Sequence, residues 1–193
     1  MKNTSTSLTK LTLQKFKKNS WGVFSFLFLC ICILVALFAY VLAPDNSKNA
    51  NQMHLSIQSK SPGFKVEMLT IPYTATENNS ISELFFGKNN TATEIPISNY
   101  TVANNSLQII EYNNEGNGGL KKEFNLSLFP KATNISEVSE LYISEKKYLL
   151  GTDKYGRDLL SRMLIGIRIS LAIGFVSVFI SLIIGVTMGA IAG

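Results

Sequence analysis

The sequence predicts an α-helical integral membrane protein that carries a small β-rich extracytoplasmic insert. Three observations support this fold class. Two long apolar runs, 21–43 and 169–193, contain no charged residue. Residues 1–20 hold five lysines and no acid, whereas all thirteen acids lie between Asp45 and Asp158. Between the two runs, short stretches alternate apolar and polar residues, as half-buried strands do.

The first twenty residues form a basic N-terminus, which we expect in the cytoplasm because lysines flank the following apolar run. Residues 21–43 are predicted to form the first transmembrane helix, since about 20 apolar residues cross a bilayer core. Pro44 ends this helix. An uncleaved anchor is favoured over a signal peptide because the run exceeds the usual signal core of about 7–15 residues. Cys30 and Cys32 lie about 200° apart on such a helix, which excludes a shared metal or an unstrained disulfide.

Residues 44–147 are predicted to form the extracytoplasmic β-rich insert, with roughly five to seven antiparallel strands. The sole histidine, His54, has no cysteine near it and is expected at the surface. The predicted strands include Phe64–Ile71, Ile81–Phe86, Leu107–Tyr112, Glu123–Phe129 and Val138–Ile143.

Residues 148–168 divide into a turn and a helix. Glycine, threonine and aspartate over 151–156 suit a tight polar turn. From Arg157 onward, apolar residues recur at helical spacing, which predicts an amphipathic helix in the outer membrane interface. Asp158 and Arg162 are expected to form an ion pair across one helical turn.

Residues 169–193 are predicted to form the second transmembrane helix, the start of an incomplete bundle. Small residues recur along it every four positions, and such a stripe lets another helix approach closely. The apolar run continues to the last residue, so we expect the chain to be a fragment. The stripe consists of Ser177, Ser181, Gly185, Gly189 and Gly193.

Several functions are excluded by what the sequence lacks. It contains no arrangement of residues for acid–base, nucleophilic or metal chemistry, so we predict neither an enzyme nor a cofactor. It contains no basic stripe interleaved with aromatic residues, which excludes a nucleic-acid partner.

The run LGTDKYGRDLLSRMLIGIRIS, which begins at Leu150, closely resembles the opening of the membrane core in ABC transporter permeases of the oligopeptide, dipeptide and nickel type. The resemblance is strong over 148–193 and weak over 10–45. The insert, at about a hundred residues, is longer than the usual loop of that family, so its role is not implied. Every position of the family's GTDxxGRD motif is present: Gly151, Thr152, Asp153, Gly156, Arg157 and Asp158.

The resemblance implies a multi-pass permease subunit of an ATP-driven importer in the bacterial cytoplasmic (inner) membrane, for peptides or related small solutes. Its partners would be a second permease subunit, two cytoplasmic ATPase subunits that hydrolyse the ATP, an extracytoplasmic substrate-binding protein and the lipid bilayer. The motif would serve as a structural turn. The alternative is a two-span membrane protein that presents its β domain for partner binding or sensing.

Overall fold

The structure is a computed structural model that describes residues 8–72, 81–88, 92–103, 106–114 and 118–193. Residues 1–7 of the predicted basic N-terminus lie outside this range. The chain divides into two compact units. One contains the residues up to Leu37 together with Ile167–Gly193, and the other contains Phe38–Gly166.

The first unit is helical. Helix α1 spans Leu8–Lys18 and helix α2 spans Ser20–Leu37. Asn19 separates them and caps α2, because its Oδ1 accepts the Gly22 amide at 3.2 Å. Helix α6, Leu159–Ala192, contributes its last 26 residues (167–192) to this unit. By length and composition, α2 and α6 could each cross a membrane.

The predicted first span is divided in the structure. Helix α2 ends at Leu37, and a short helix α3, Ala39–Leu42, follows after a break at Phe38. The predicted interfacial helix and second span, in contrast, form one continuous helix, α6, of 34 residues. Membrane crossing and the interfacial position remain predictions.

The second unit is built on a five-stranded antiparallel sheet with the strand order β4-β3-β2-β1-β5. Two further helices, α4 at Ile81–Phe86 and α5 at Ile135–Tyr142, connect parts of the sheet. The strands are β1 Phe64–Pro72, β2 Ala92–Ala103, β3 Ser106–Glu111, β4 Lys121–Asn125 and β5 Ile143–Tyr148.

The two faces of the sheet carry different layers. Adjacent side chains of a strand point to opposite faces, so Met68 and Leu69 in β1 mark the two sides. Leu69 belongs to a core that includes Val138 and Tyr142 of α5. Met68 packs with Ile57, Val66 and Tyr148 on the opposite face.

Two strand predictions are confirmed: Phe64–Ile71 lies within β1, and Leu107–Tyr112 is strand as far as Glu111. The prediction over Glu123–Phe129 is right only to Asn125, because a 3-10 turn follows at Leu126–Leu128. Two predictions are wrong.

The first of these, Ile81–Phe86, forms helix α4, since a short apolar run does not distinguish strand from helix. The second, Val138–Ile143, lies mostly in α5, because a capping box between Asn134 and Glu137 starts a helix there.

Candidate functional site

The six motif residues form one closed turn that ends at the start of α6. Thr152 and Asp158 pair across it as an isolated antiparallel bridge. Asp153 organises the interior, because its Oδ1 accepts the backbone amides of Tyr155 at 2.8 Å and Arg157 at 3.0 Å. Its Oδ2 accepts the Arg157 guanidinium, with Nε at 2.8 Å and Nη2 at 2.7 Å. This fork geometry fixes the arginine in one orientation.

The charge state of Asp153 follows from these contacts. Partial burial acts to raise the pKa of its carboxyl group. The hydrogen bonds from Arg157 and from the Tyr155 amide, together with the arginine charge, outweigh that effect and hold the pKa below its ordinary value. The carboxylate therefore stays ionised and keeps the turn closed at neutral pH.

Two glycines of the motif are required by backbone geometry. Gly151 has φ +78° and Gly156 has φ +72°, a region that side chains rarely allow. Each also touches a neighbouring segment of the chain. A Cβ at Gly151 would lie 2.1 Å from the Lys60 carbonyl oxygen, and one at Gly156 would lie 1.8 Å from the His54 carbonyl oxygen.

The neighbouring segment, residues 45–60, is the chain that follows α3, and we call it the clasp. Thr152, which is buried, holds it at one end: its hydroxyl donates to the Ile57 carbonyl at 2.5 Å and accepts the Lys60 amide at 2.9 Å. Backbone hydrogen bonds extend the contact. The His54 amide donates to the Tyr155 carbonyl at 3.1 Å, and the Ser59 amide donates to the Asp153 carbonyl at 2.9 Å.

The other end of the clasp is bound to the first turn of α6. Asp158 caps that helix, since its Oδ2 accepts the Ser161 amide at 2.9 Å. The Ser161 hydroxyl donates to the same oxygen and accepts the Asp45 amide at 2.9 Å. All three residues are buried. The residue that follows Pro44 is thus hydrogen-bonded to the first turn of α6.

The predicted Asp158–Arg162 ion pair is wrong. Asp158 is only 3% exposed and directs its carboxylate to the helix cap. Arg162 instead lies with its Nε 3.7 Å from Oδ2 of Asp153. A capping carboxylate bonds backbone amides at the helix start, so it does not reach one turn along the surface.

The expected surface position of His54 is also wrong, because this residue is buried, with 8% exposure. Its Nε2 lies 3.7 Å from Oε2 of Glu94, and Lys146 Nζ lies 2.6 Å from the same oxygen. Burial lowers the pKa of His54 below its ordinary value and Lys146 adds to this, while Glu94 and Asp45 act against it. No sequence pattern marks this cluster, since its members come from a loop and two strands.

The hydrogen bonds of this site join backbone segments, and the structural role of the motif remains a prediction. The turn, the clasp and the cap hold backbone segments together, and within the described ranges no group of three or more His, Cys, Asp or Glu side chains could hold a metal ion.

Four residues of the small-residue stripe, Ser177, Ser181, Gly185 and Gly189, lie on the later part of α6, and Gly193 follows the end of that helix; all five are exposed. A Cβ at Gly185 or Gly189 would meet no atom within 4 Å. Its role in helix packing remains a prediction.

Comparison with known proteins gives consistent matches. A family described as the N-terminal TM domain of oligopeptide transport permease C matches residues 7–62, which contain α1, α2 and the clasp. The dipeptide transport system permease protein DppC of Lactococcus lactis subsp. cremoris is 47% identical over 68 residues, 33% of this chain and 20% of the relative.

Two further relatives agree. The di/tripeptide permease DppC of Pseudomonas aeruginosa is 57% identical over 49 residues, 25% of this chain and 16% of the relative. The glutathione permease GsiD of Pectobacterium atrosepticum is 54% identical over 44 residues, 23% of this chain and 15% of the relative.

The aligned parts thus span a fifth or less of these relatives. No solved structure matches the chain significantly. The chain has two helices long and apolar enough to cross a membrane, and it is similar to the N-terminal region of ABC transporter permeases of the oligopeptide and dipeptide type.

Proposed function

We propose that this chain is part of a permease subunit of an ATP-driven importer for peptides or related small solutes. The observation that carries the proposal is the high local identity to relatives named as dipeptide, di/tripeptide and glutathione permeases. The motif turn is consistent with it, because hydrogen bonds join the turn and the clasp to the first turn of α6, a helix that is long and apolar enough to cross a membrane.

The subunit lies in the bacterial cytoplasmic membrane with several spans and its N-terminus in the cytoplasm. It pairs with a second permease subunit, two cytoplasmic ATPase subunits and an extracytoplasmic substrate-binding protein. Uptake of labelled peptide tests this function. Deleting the gene that encodes this chain should abolish uptake of at least one di- or oligopeptide, and restoring the gene should recover it. Unchanged uptake of peptides, glutathione and nickel would refute the proposal.

The insert contacts the external binding protein or shields the mouth of the pore. Its edge strand β4 offers a place to test this, since Lys121 is exposed there. In a variant with Lys121→Cys, Cys30→Ser and Cys32→Ser, attaching a large polyethylene glycol maleimide should lower peptide uptake. The unmodified variant should transport normally. Equal uptake with and without the polymer would argue against a role for this edge.

A further inference from the structure

Helix α1 carries exposed apolar and basic residues that the transport proposal does not use. Leu11, Leu13 and Phe16 are 41%, 54% and 38% exposed. Its lysines are exposed as well: Lys10, Lys15, Lys17 and Lys18. The helix has only 11 residues. Isolated helices shorter than roughly 12–15 residues are marginal in water, so α1 needs a surface to support it.

The chain bends between α1 and α2. The rings of Phe16 and Phe26 meet edge to face with centroids 5.9 Å apart. In one straight helix, residues ten positions apart would be about 15 Å apart along the axis. A Cβ at Gly22 would lie 3.4 Å from the Phe16 ring, so this glycine makes room for the contact. Helix α1 therefore turns at Asn19 and does not continue the axis of α2.

A residue of a type that favours the membrane surface stands beside the bend. Trp21 stands two residues beyond Asn19, is 80% exposed, and is a residue type that favours the interface between headgroups and hydrocarbon. If α2 spans a bilayer, the C-terminal end of α1 lies at the level of the headgroups.

The charge of α1 has one sign. It contains four lysines and no acid, and the first acid of the whole chain is Asp45. Lys10 and Lys17 stand seven residues apart, so they share one face of the helix. A basic amphipathic helix of this kind complements an anionic surface.

We propose that α1 is a membrane-surface helix that binds the anionic phospholipid headgroups of the leaflet that α2 enters. Leu13 and Phe16, which stand three residues apart on one side of the helix, insert among the acyl chains near the headgroups, and the lysines contact the phosphates. This inference goes beyond the proposed transport function and requires only that α2 spans a bilayer.

The test uses the full chain in vesicles of phosphatidylcholine, with or without phosphatidylglycerol. A polarity-sensitive fluorophore is attached through Leu13→Cys in a background with Cys30→Ser and Cys32→Ser. With phosphatidylglycerol, the emission should shift to shorter wavelength and resist quenching by acrylamide, which is neutral. Raising the salt concentration should reverse part of the shift, because salt screens exposed charges.

Substitutions separate charge from other effects. Lys10→Gln with Lys17→Gln should weaken the protected state by about fivefold for each lysine. Lys10→Arg with Lys17→Arg keeps the charge and should retain protection. Lys121→Gln with Lys147→Gln removes the same charge from the edges of the sheet and should have no effect.

Two results would overturn the inference. A label that stays quenchable in both kinds of vesicle would place α1 in water. A label that is protected equally in both kinds, and is insensitive to salt and to the glutamine variants, would mean that α1 packs on protein or neutral lipid.

Discussion

Gly156 lies where a side chain has no room, because its α-hydrogen faces the His54 carbonyl. In Gly156→Ala the Cβ would stand 1.8 Å from that oxygen, and φ would remain +72°. We expect a loss of more than about 3 kcal/mol in the free energy of unfolding, the range of severe backbone effects. Thermal unfolding in detergent, followed by near-UV circular dichroism, measures it.

Gly63 provides the matched control. Its φ is +83°, but a Cβ there would meet nothing within 4 Å. Gly63→Ala should therefore cost only the conformational term, about 1–2 kcal/mol. If the two variants lose equal stability, the contact between the turn and the clasp contributes nothing.

His54 should make stability depend on pH. Burial lowers the pKa of His54 in the folded state. At pH values between this lowered pKa and about 6.5, the unfolded chain therefore binds more protons than the folded chain does. Stability is therefore complete above about pH 6.5 and falls as the pH drops through this window, by at most about 1.4 kcal/mol per pH unit.

His54→Gln tests this dependence directly, because the chain has no other histidine. Unfolding midpoints measured at a series of pH values should show the slope in the natural chain and lose it in the variant. A slope that persists in His54→Gln would assign it to another group.

At the scale of single elements, the cap of α6 carries a separate prediction. Ser161→Ala removes the hydroxyl that accepts the Asp45 amide, so a buried N–H loses its partner. Such a loss costs about 1–3 kcal/mol. Hydrogen exchange at the Asp45 amide should become faster, which mass spectrometry detects.

The control for this variant is Ser170→Ala, an exposed serine on the same helix. It should change stability by no more than about 0.5 kcal/mol and leave exchange at Asp45 unaltered. Unaltered exchange in Ser161→Ala would show that the clasp is held by its other contacts.

The elements differ in how far they could be predicted from the sequence. The apolar–polar pattern identified β1 and β3. Leu107 and Ile109 of β3 face one core, whereas Met68 and Leu69 of β1 belong to cores on opposite faces of the sheet. Strand β2 was missed, since it contains Pro96 and an irregular register between Ile97 and Asn99. Helix α5 could have been found from the asparagine and glutamate three residues apart that form its capping box.

At the scale of the whole molecule, the motif turn was predictable because its residues are adjacent in the sequence. Its partners were not. The Thr152–Lys60 bond joins residues 92 positions apart, and the Asp45–Ser161 bond joins residues 116 apart. Sequence patterns report local periodicity, so they contain no signal for such contacts.

Membrane orientation is the prediction that belongs to the whole chain. Because residues 1–20 carry five lysines and no acid, α1 should stay in the cytoplasm while the sheet unit lies outside. Single cysteines at exposed positions, Gln14→Cys in α1 and Glu140→Cys in α5, test this in a background with Cys30→Ser and Cys32→Ser.

In intact spheroplasts, a membrane-impermeant maleimide should label the cysteine at position 140 and leave that at position 14 unmodified until the membrane is permeabilised. Labelling of both without permeabilisation would mean that α2 does not cross the bilayer. The reverse pattern would invert the orientation and place the sheet unit in the cytoplasm, which would contradict the proposed contact with an external binding protein.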